Sequence, residues 1–309
     1  MEVKKKKVRA WPVILMILFL GIFVVSGYFL IQEIKPYAEE AREHEELIDS
    51  VLIAKATEGN SGGDHEPAYA TEDVLFRTPF PEETGGPTAE PSGTEEANAD
   101  TYGPDYDVDW DKLLGINKEV IGWLYVDAMP EINYPVLKAK NNEKYLHYDL
   151  YGKWQKNGCL FVDCDSSSDW SDPNTVIFGH HMKSGAMFGN LEELNSQSKI
   201  DANPYFWILT PEGTYCYRIF SVRYVNSDSD VYSIFWQDSE SFVEWGKTMV
   251  RKSLIKTDVE ITAEDHVVVL STCAYINFNR FIVAGVRVDA PGEAQETVPA
   301  ETPAPTDEN

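Results

Sequence analysis

Two apolar runs near the C-terminal end of the chain constrain the fold more than any other feature of the sequence. The first run, Val267–Thr272, is dominated by β-branched residues, and the second occupies residues 281–286. β-branched runs of this length are typical of buried strands. A short segment separates the two runs, so they can pair as a hairpin. The sequence therefore predicts that this end of the chain belongs to a β-sheet core.

Six further segments have the same short, apolar character and are separated by proline and glycine. They are residues 119–126, 134–137, 158–163, 174–178, 206–209 and 214–225. Strands punctuated in this way suggest an antiparallel barrel or sandwich. Residues 239–255 break the pattern with apolar residues at helical spacing, and residues 110–114 also suggest a helix. We expect a mainly β fold, a barrel, with a helix inserted before the strand that ends at Cys273.

The N-terminal region has the charge pattern of a membrane anchor. Lysines and Arg9 crowd residues 1–10, and no charged side chain occurs in residues 11–32. About 20 apolar residues span a bilayer as a helix, and a basic flank stays in the cytoplasm. We expect a basic cytoplasmic segment, a single transmembrane helix and an extracellular remainder. A cleaved signal peptide is the alternative, but residues 27–32 are a poor cleavage site.

The rest of the chain divides by composition. Residues 33–56 suggest a charged, solvated juxtamembrane helical stalk. Residues 57–103 are rich in Thr, Glu, Pro, Gly and Ser, and Arg77 is the only Lys or Arg among them. Such a composition predicts a disordered acidic linker that tethers the folded domain, and residues 291–309 have the character of a disordered tail. The folded domain is expected at residues 104–290.

Three polar residues could perform nucleophilic chemistry. Cys273 ends a buried strand, where a cysteine can be exposed at a rim, and Arg280 opens the next strand beside it. His180 follows Gly179 upstream. A thiol, an imidazole and a guanidinium are the groups that a cysteine transferase or hydrolase requires. Each also has a structural alternative: an inert core cysteine, a loop histidine and a surface arginine.

The other three cysteines have no comparable setting. Cys159 and Cys164 lie five residues apart, which in an extended run is too far for a disulfide. A bridge from either of them to Cys216 stays open. Their spacing matches no zinc pattern, so we expect no metal and no organic cofactor. The formal net charge of −25 gives no indication of a nucleic-acid partner.

The ordered motifs of the domain resemble those of class B sortases. Leu270-Ser271-Thr272-Cys273 with Arg280 is similar to the nucleophile strand of that family, and residues 174–182 and 187–191 are similar to its histidine segment. Upstream, four further segments follow the same class: IGW (121–123), INYPV (132–136), NEKYL (142–146) and GCLFVD (158–163). His181 and Phe178 depart from the class, where Asn and Tyr are common. The resemblance covers essentially residues 108–289.

The resemblance implies a closed eight-stranded barrel and a cysteine transpeptidase of Gram-positive surfaces. Cys273 would attack a sorting motif near the C-terminus of a secreted protein and hold the acyl fragment as a thioester. His180 would transfer protons, and Arg280 would stabilise the oxyanion. Neighbouring residues of an extended segment point to opposite sides, so His180 and not His181 would face the cysteine, and the pair is a poor metal site.

Further positions are expected to bind substrate. Asn142, Leu146 and Ser271 match groove positions of class B relatives, although a turn Asn, a core Leu and a strand-end Ser are equally good interpretations. Thr272 and Tyr232 are also assigned to the peptide groove, and Phe235 could form part of its wall.

The leading hypothesis is a transpeptidase that joins secreted proteins to a peptidoglycan precursor amine. A pilin-polymerising enzyme with a lysine acceptor, a hydrolase and a non-catalytic membrane-tethered wall-binding domain are the alternatives.

Overall fold

The computed structural model describes residues 11–55, 103–233, 239–272 and 279–289. The α-helices in this part of the chain are α1 (Trp11–Val51), α2 (Trp110–Ile116), α3 (Lys144–His147), α4 (Gln197–Ala202) and α5 (Ser239–Arg251). The strands are β1 (Leu52–Ala54), β2 (Tyr106–Val108), β3 (Val120–Val126), β4 (Asn133–Leu137), β5 (Leu160–Val162), β6 (Asn174–Gly179), β7 (Tyr205–Thr210), β8 (Gly213–Asn226), β9 (Val267–Thr272) and β10 (Asn279–Val288).

Strands β3 to β10 close into a barrel in the order β10-β8-β7-β3-β4-β5-β6-β9. All eight barrel strands coincide with the predicted segments, so the mainly β class and the closed eight-stranded barrel are confirmed. The expectation of a purely antiparallel arrangement is wrong, because β4 pairs with β5 and β6 pairs with β9 in parallel. Parallel neighbours require long crossovers, and the chain supplies them at residues 138–159 and 180–266.

Apolar side chains of the strands are buried both inside the barrel and under the helix α5 on its outside. Inside, the rings of Phe206 and Tyr217 stack with centroids 5.1 Å apart. A Cβ at Gly285 would lie 2.4 Å from the Phe206 ring, so this position accepts only glycine. Outside, α5 buries Phe242 and Met249 against β9 and β10. The helix predicted before the cysteine strand is thereby confirmed.

The expected solvated stalk is wrong for the C-terminal part of α1, which packs against the barrel. Leu47 and Val51 are buried in one apolar cluster with Val108, Leu113 and Trp123. Apolar side chains drive this contact because burying a Leu or Val releases about 1.5–3 kcal/mol relative to leaving it exposed. The helix ends at Val51 and not at residue 56, and β1 begins at the next residue, Leu52.

Polar contacts extend the same interface along α1. The Asn157 amide donates to the Glu40 carboxylate, and Lys112 Nζ donates to the Ser50 carbonyl at 2.6 Å. The His44 ring stacks on Tyr134, with centroids 4.2 Å apart. The segment of α1 from residue 40 to residue 51 is therefore part of the folded domain, and we call it the docked segment.

The chain returns to the docked segment after the acidic region. β1 pairs with β2 in antiparallel register, with Leu52 opposite Val108 and Ala54 opposite Tyr106. The Lys55 N–H also donates to the Asp105 carbonyl at 2.8 Å. Both ends of the predicted linker are therefore held side by side, and residues 56–102 leave and re-enter the same small sheet. The tethering role expected for this region stays a prediction, although the end of α1 already contacts the barrel.

The acidic region itself, residues 57–102 of the predicted linker, lies outside the described residues, as do the basic segment 1–10 and the tail 291–309. Gly103, the last residue assigned to the linker, belongs to the fold, because its N–H donates to the Asp127 carboxylate at 3.1 Å. The folded part of the chain thus comprises the docked segment of α1 together with the barrel.

Burial of His44 predicts a pH-dependent stability. Burial lowers the pKa of His44 to about 4 from its ordinary 6.5, and a hydrogen bond to the Asn133 backbone offsets part of that effect. The unfolded chain therefore binds the proton more tightly, so the stabilisation is complete above about pH 6.5 and is lost as the pH falls towards 4. We expect His44→Phe, which keeps the ring stack, to remove on the order of 2 kcal/mol of pH dependence across this window. Denaturant unfolding of the wild-type protein and of the variant at several pH values measures this difference. The same dependence of the unfolding free energy on pH in both proteins would contradict the prediction.

Candidate active site

The parallel strands β6 and β9 end side by side at one rim of the barrel. Gly179 and Thr272 are register partners and are the last residues of their strands. His180 follows Gly179, and Cys273 is joined to Thr272 by one peptide bond. Cys273 itself lies outside the described residues. Because parallel strands leave a sheet at the same edge, the histidine and cysteine positions follow paired residues at a common edge.

Gly179 shapes the chain just before the histidine. A Cβ at this position would lie 2.5 Å from Leu160 Cδ2 and 2.6 Å from Phe188 Cδ2. The Phe188 N–H in turn donates to the His180 carbonyl at 3.1 Å. The missing side chain lets the buried Phe188 ring pack directly on the strand end, and this packing supports the backbone that carries His180.

A backbone carbonyl orients the imidazole of His180. His180 Nε2 lies 2.9 Å from the Leu146 carbonyl oxygen. A carbonyl only accepts hydrogen bonds, so Nε2 carries the proton in this contact and Nδ1 is the nitrogen left to exchange a proton. The His147 ring lies beside it, with centroids 6.5 Å apart. Leu146 thus reaches the site through its backbone, and its expected contact with substrate remains a prediction.

His181 points away from His180. Its Nε2 lies 4.0 Å from a Glu192 carboxylate oxygen, and its backbone bridges to Met187. The two neighbouring imidazoles therefore contact different parts of the molecule, as expected for an extended segment.

Arg280 lies over two neighbouring aromatic rings. Its guanidinium carbon lies 5.1 Å from the centroid of the Tyr232 ring and 5.7 Å from that of Phe178. The two rings are stacked, with centroids 5.9 Å apart and planes at 28°. Tyr232 belongs to the 3-10 helix Asp230–Tyr232, and its hydroxyl lies 2.9 Å from Ser271 Oγ. The structure thus brings Arg280, Tyr232 and Ser271 together.

Ser271 and Thr272 lie inside the protein. Their exposed fractions are 1% and 0%, and the Ser271 hydroxyl is engaged with Tyr232. The contact that the structure assigns to Ser271 is structural. Binding of substrate by either side chain remains a prediction.

Asn142 lies apart from this cluster. Its Nδ2 donates to Asp163 at 3.0 Å, and its Oδ1 accepts from the Cys164 N–H at 2.8 Å. Asp163 bonds to Val176, which precedes His180 by four residues, or roughly 13 Å of strand. In the described contacts Asn142 joins two loops, and its expected substrate contact remains a prediction.

Two features of the site were not foreseen from the sequence. The first is the contact of His180 with the main-chain carbonyl of Leu146. Every residue has such a carbonyl, so the residue type does not indicate which one binds the imidazole. The aromatic contacts of Arg280 join residues from three separated segments. Only the aromatic character of Phe178 and Tyr232 was visible beforehand.

One group of side chains among the described residues has the donor types of a metal site. Ligand atoms of Asp163, Cys164 and Asp165 lie within 4.8 Å of one another. However, the Asp163 carboxylate already accepts from the Asn142 amide and from the Asp165 N–H. The group also lies at the level of Asn142, away from His180, so it has no place in the chemistry of the rim.

The burial of the described cysteines predicts which of their thiols react with an alkylating reagent. Burial raises the pKa values of Cys159 and Cys216 to about 12, so both stay protonated near neutral pH. None of Cys159, Cys164 and Cys216 is in a disulfide. We expect iodoacetamide to leave Cys159 and Cys216 unmodified in the native protein, whereas all four cysteines of the chain react after denaturation. Peptide mapping by mass spectrometry measures this, and rapid labelling of Cys159 in the native protein would contradict it.

Comparisons with known proteins agree with the fold. A family model described as a sortase domain matches residues 124–288. Sortase B of Listeria monocytogenes is 29% identical over 161 residues, which are 52% of this chain and 65% of that protein, or just under two thirds of its length. Sortase B of Staphylococcus aureus is 28% identical over 181 residues, which are 58% of this chain and 74% of that protein.

Solved structures give the same result. A crystal structure of Staphylococcus aureus sortase B aligns with a TM-score of 0.55 at 27% identity, covering 58% of this chain and 86% of the other. Sortase B of Bacillus anthracis, solved in complex with AAEK1, aligns with a TM-score of 0.54 at 29% identity, covering 58% of this chain and 84% of the other. Each of these similar proteins is named sortase B.

Proposed function

Because this chain belongs to the sortase family, whose members are cysteine transpeptidases, we propose that it cleaves a C-terminal sorting motif of secreted proteins and transfers the acyl fragment to a peptidoglycan precursor amine. The relatives named sortase B support class B. The sorting motif is expected to be similar to Asn-Pro-x-Thr, as the resemblance implies.

The pairing of Gly179 with Thr272 is the observation that carries this proposal. It leads His180 and the cysteine position off adjacent strands at one edge. β10, which pairs with β9 on the other side, begins with Asn279 and Arg280. A nucleophile, a proton-transfer group and a cationic donor on three adjacent strand ends are the minimum set for acyl transfer from a peptide.

The proposed acylation step begins with the Cys273 thiolate and a His180 imidazolium, whose Nδ1 holds the proton that the thiol has lost. A bond forms between its sulfur and the scissile carbonyl carbon, and the carbonyl oxygen becomes an oxyanion. Arg280 donates hydrogen bonds to that oxygen, a type of contact typically worth about 3 kcal/mol in the transition state. The carbon–nitrogen bond then breaks, and His180 Nδ1 gives a proton to the leaving amine. The product is a thioester on Cys273.

The proposed transfer step reverses these roles. The acceptor amine attacks the thioester carbon and loses a proton to His180, and the carbon–sulfur bond breaks to release the thiolate. The Leu146 carbonyl holds Nε2–H throughout, so the same nitrogen, Nδ1, serves both steps. This is the physical reason for one histidine to act first as acid and then as base.

The anchor and the docked segment suggest where the reaction occurs. α1 contains a stretch long and apolar enough to cross a membrane, and that stretch is not buried in the protein. We propose that it spans the bilayer with residues 1–10 in the cytoplasm and the barrel outside. The docked segment begins at Glu40, about 12 Å of helix after Gln32. The barrel would then be held just above the membrane surface, where wall precursors and secreted substrates meet.

The acceptor is tested by product analysis. Full-length protein in detergent micelles is incubated with candidate sorting peptides and with either a peptidoglycan-type stem peptide amine or a lysine-containing pilin-type peptide. The proposal predicts cleavage and a ligated product with the wall-type amine. Ligation only to the lysine peptide would favour the pilin-polymerising alternative. Free acid as the sole product, whatever the amine, would show a hydrolase, and no cleavage of any peptide would favour a wall-binding domain.

A further inference from the structure

We propose that Phe178 and Tyr232 are positioning residues for Arg280, which they hold in place through the faces of their rings. The inference deepens the proposed function and rests on it for the role of Arg280 in catalysis. The contact itself is a property of the fold and can be tested without any activity.

The geometry is that of a double cation–π contact. Both ring centroids lie within 6 Å of the guanidinium carbon of Arg280, at 5.1 Å for Tyr232 and 5.7 Å for Phe178. A cation within this distance of an aromatic face is attracted by the ring quadrupole. The rings come from two different elements, the end of β6 and the 3-10 helix after β8, and the arginine comes from β10.

Each ring is fixed by contacts of its own. Phe178 packs against Phe161 on the neighbouring strand, with centroids 5.5 Å apart. The turn that carries Tyr232 is fixed by the fully buried Asn174, whose Nδ2 donates to the carbonyls of Val231 at 3.1 Å and Ser233 at 2.9 Å. The Ser271 hydroxyl then fixes the far end of the Tyr232 ring. The two faces are therefore in place independently of Arg280.

This way of holding an arginine leaves its hydrogen-bond donors available. Among the described residues Arg280 forms no ion pair, so no carboxylate there neutralises its charge or occupies its N–H groups. An aromatic face attracts the cation without accepting a strong hydrogen bond. Holding the guanidinium in place before substrate binds also reduces the rotamer entropy lost when it reaches an oxyanion.

A second arginine on the same strand shows the contrast. Arg287 lies over Tyr215 at 4.1 Å and over Tyr217 at 5.6 Å. However, its Nη2 donates to the Trp170 carbonyl at 2.7 Å and to the Tyr217 hydroxyl at 3.0 Å. The Nη2 donor of Arg287 is thus used inside the protein. Tyr215 and Arg287 supply a matched control at the far end of β10.

The test compares ring-removing variants with a ring-keeping variant in the full chain. Tyr232→Leu and Phe178→Leu remove a ring, whereas Phe178→Tyr keeps it, and Tyr215→Leu removes a ring from Arg287. Acylation by a sorting peptide is followed with kcat and KM separated. We expect the Tyr232→Leu and Phe178→Leu variants to lower kcat roughly fivefold, Phe178→Tyr to retain it, and Tyr215→Leu to leave it unchanged. In an Arg280→Ala background, Tyr232→Leu should have no further effect.

A chemical readout tests the contact without activity. The rate at which phenylglyoxal modifies Arg280 is measured by peptide mass spectrometry, with Arg287 as the internal reference. Faster modification of Arg280 in the ring-removing variants, and of Arg287 in Tyr215→Leu, is the expected result. Unchanged modification of Arg280 would overturn the contact, and unchanged kcat with faster modification would overturn the positioning role. If the wild-type chain forms no acyl-enzyme, the proposed function fails, while the phenylglyoxal rates still decide the contact.

Discussion

Replacing His180 with alanine is expected to lower the rate of acyl transfer by a factor of about 10²–10⁴, the range for loss of a general acid–base group. The reason is geometric. The Leu146 carbonyl holds Nε2–H at 2.9 Å and leaves Nδ1 to exchange the proton, and His180 follows the residue that pairs with Thr272. The measurement is the single-turnover rate of acylation of full-length protein by a sorting peptide.

His181 supplies the matched control for that experiment. It is the same residue type one position later, but its ring lies towards Glu192. His181→Ala should therefore change the acylation rate less than roughly threefold, because the ring contact that it removes is the one with Glu192. A large loss in His181→Ala together with full activity in His180→Ala would show that the assignment of the two imidazoles is reversed.

The second large effect is expected on stability, when a buried residue of the docked segment of α1 is replaced. Leu47 is 5% exposed and packs into the cluster that includes Val51 and Trp123. We expect Leu47→Ala to lower the free energy of unfolding by about 3 kcal/mol, because a buried Leu is replaced by a cavity. For a domain of this size that corresponds to a fall in Tm of roughly 6–12 °C. Thermal unfolding in detergent micelles measures it.

Ile53→Ala is the control, because Ile53 lies six residues further along the chain, in β1, and is 54% exposed. It should shift Tm by about 2 °C or less. If the region were a solvated stalk, both substitutions would be silent.

Excision of residues 57–102 distinguishes a loop from a tether. Because β1 and β2 are paired at both ends of this region, a short turn in its place should leave Tm and membrane attachment unchanged. Loss of activity or of folding on excision would contradict the account and restore a tethering role.

Much of the barrel could be predicted because its strands carry local signals. The short apolar segments separated by Pro and Gly are strands in the structure. The segment in which Phe242 and Met249 occur at helical spacing is the helix α5. The two parallel strand pairs, β4 with β5 and β6 with β9, could not be predicted in the same way. Strand order depends on pairing between residues such as Gly179 and Thr272, which are far apart in the chain, and periodicity within one strand contains no information about its neighbour.

The docking of α1 was missed for a related reason. Leu47 and Val51 are isolated apolar residues in a charged helix, and the surface that covers them comes from residues after the acidic region. Within the site, His180 follows the end of β6 and Arg280 lies at the start of β10, and their catalytic roles stay predictions. Their orienting contacts, a main-chain carbonyl and two ring faces, involve groups whose role depends on the folded geometry alone.

The central claim, that Cys273 is the nucleophile of an acyl transferase, is tested most directly by intact-mass spectrometry. Full-length protein in detergent micelles is mixed with a panel of sorting peptides, and the reaction is stopped with acid. The intact mass of the protein is then measured, and the modified residue is identified by peptide mapping. The account predicts an adduct with the mass of the N-terminal acyl fragment on Cys273, absent in Cys273→Ala and discharged by added amine. No adduct with any peptide, together with a Cys273 that resists alkylation in the native protein, would contradict it.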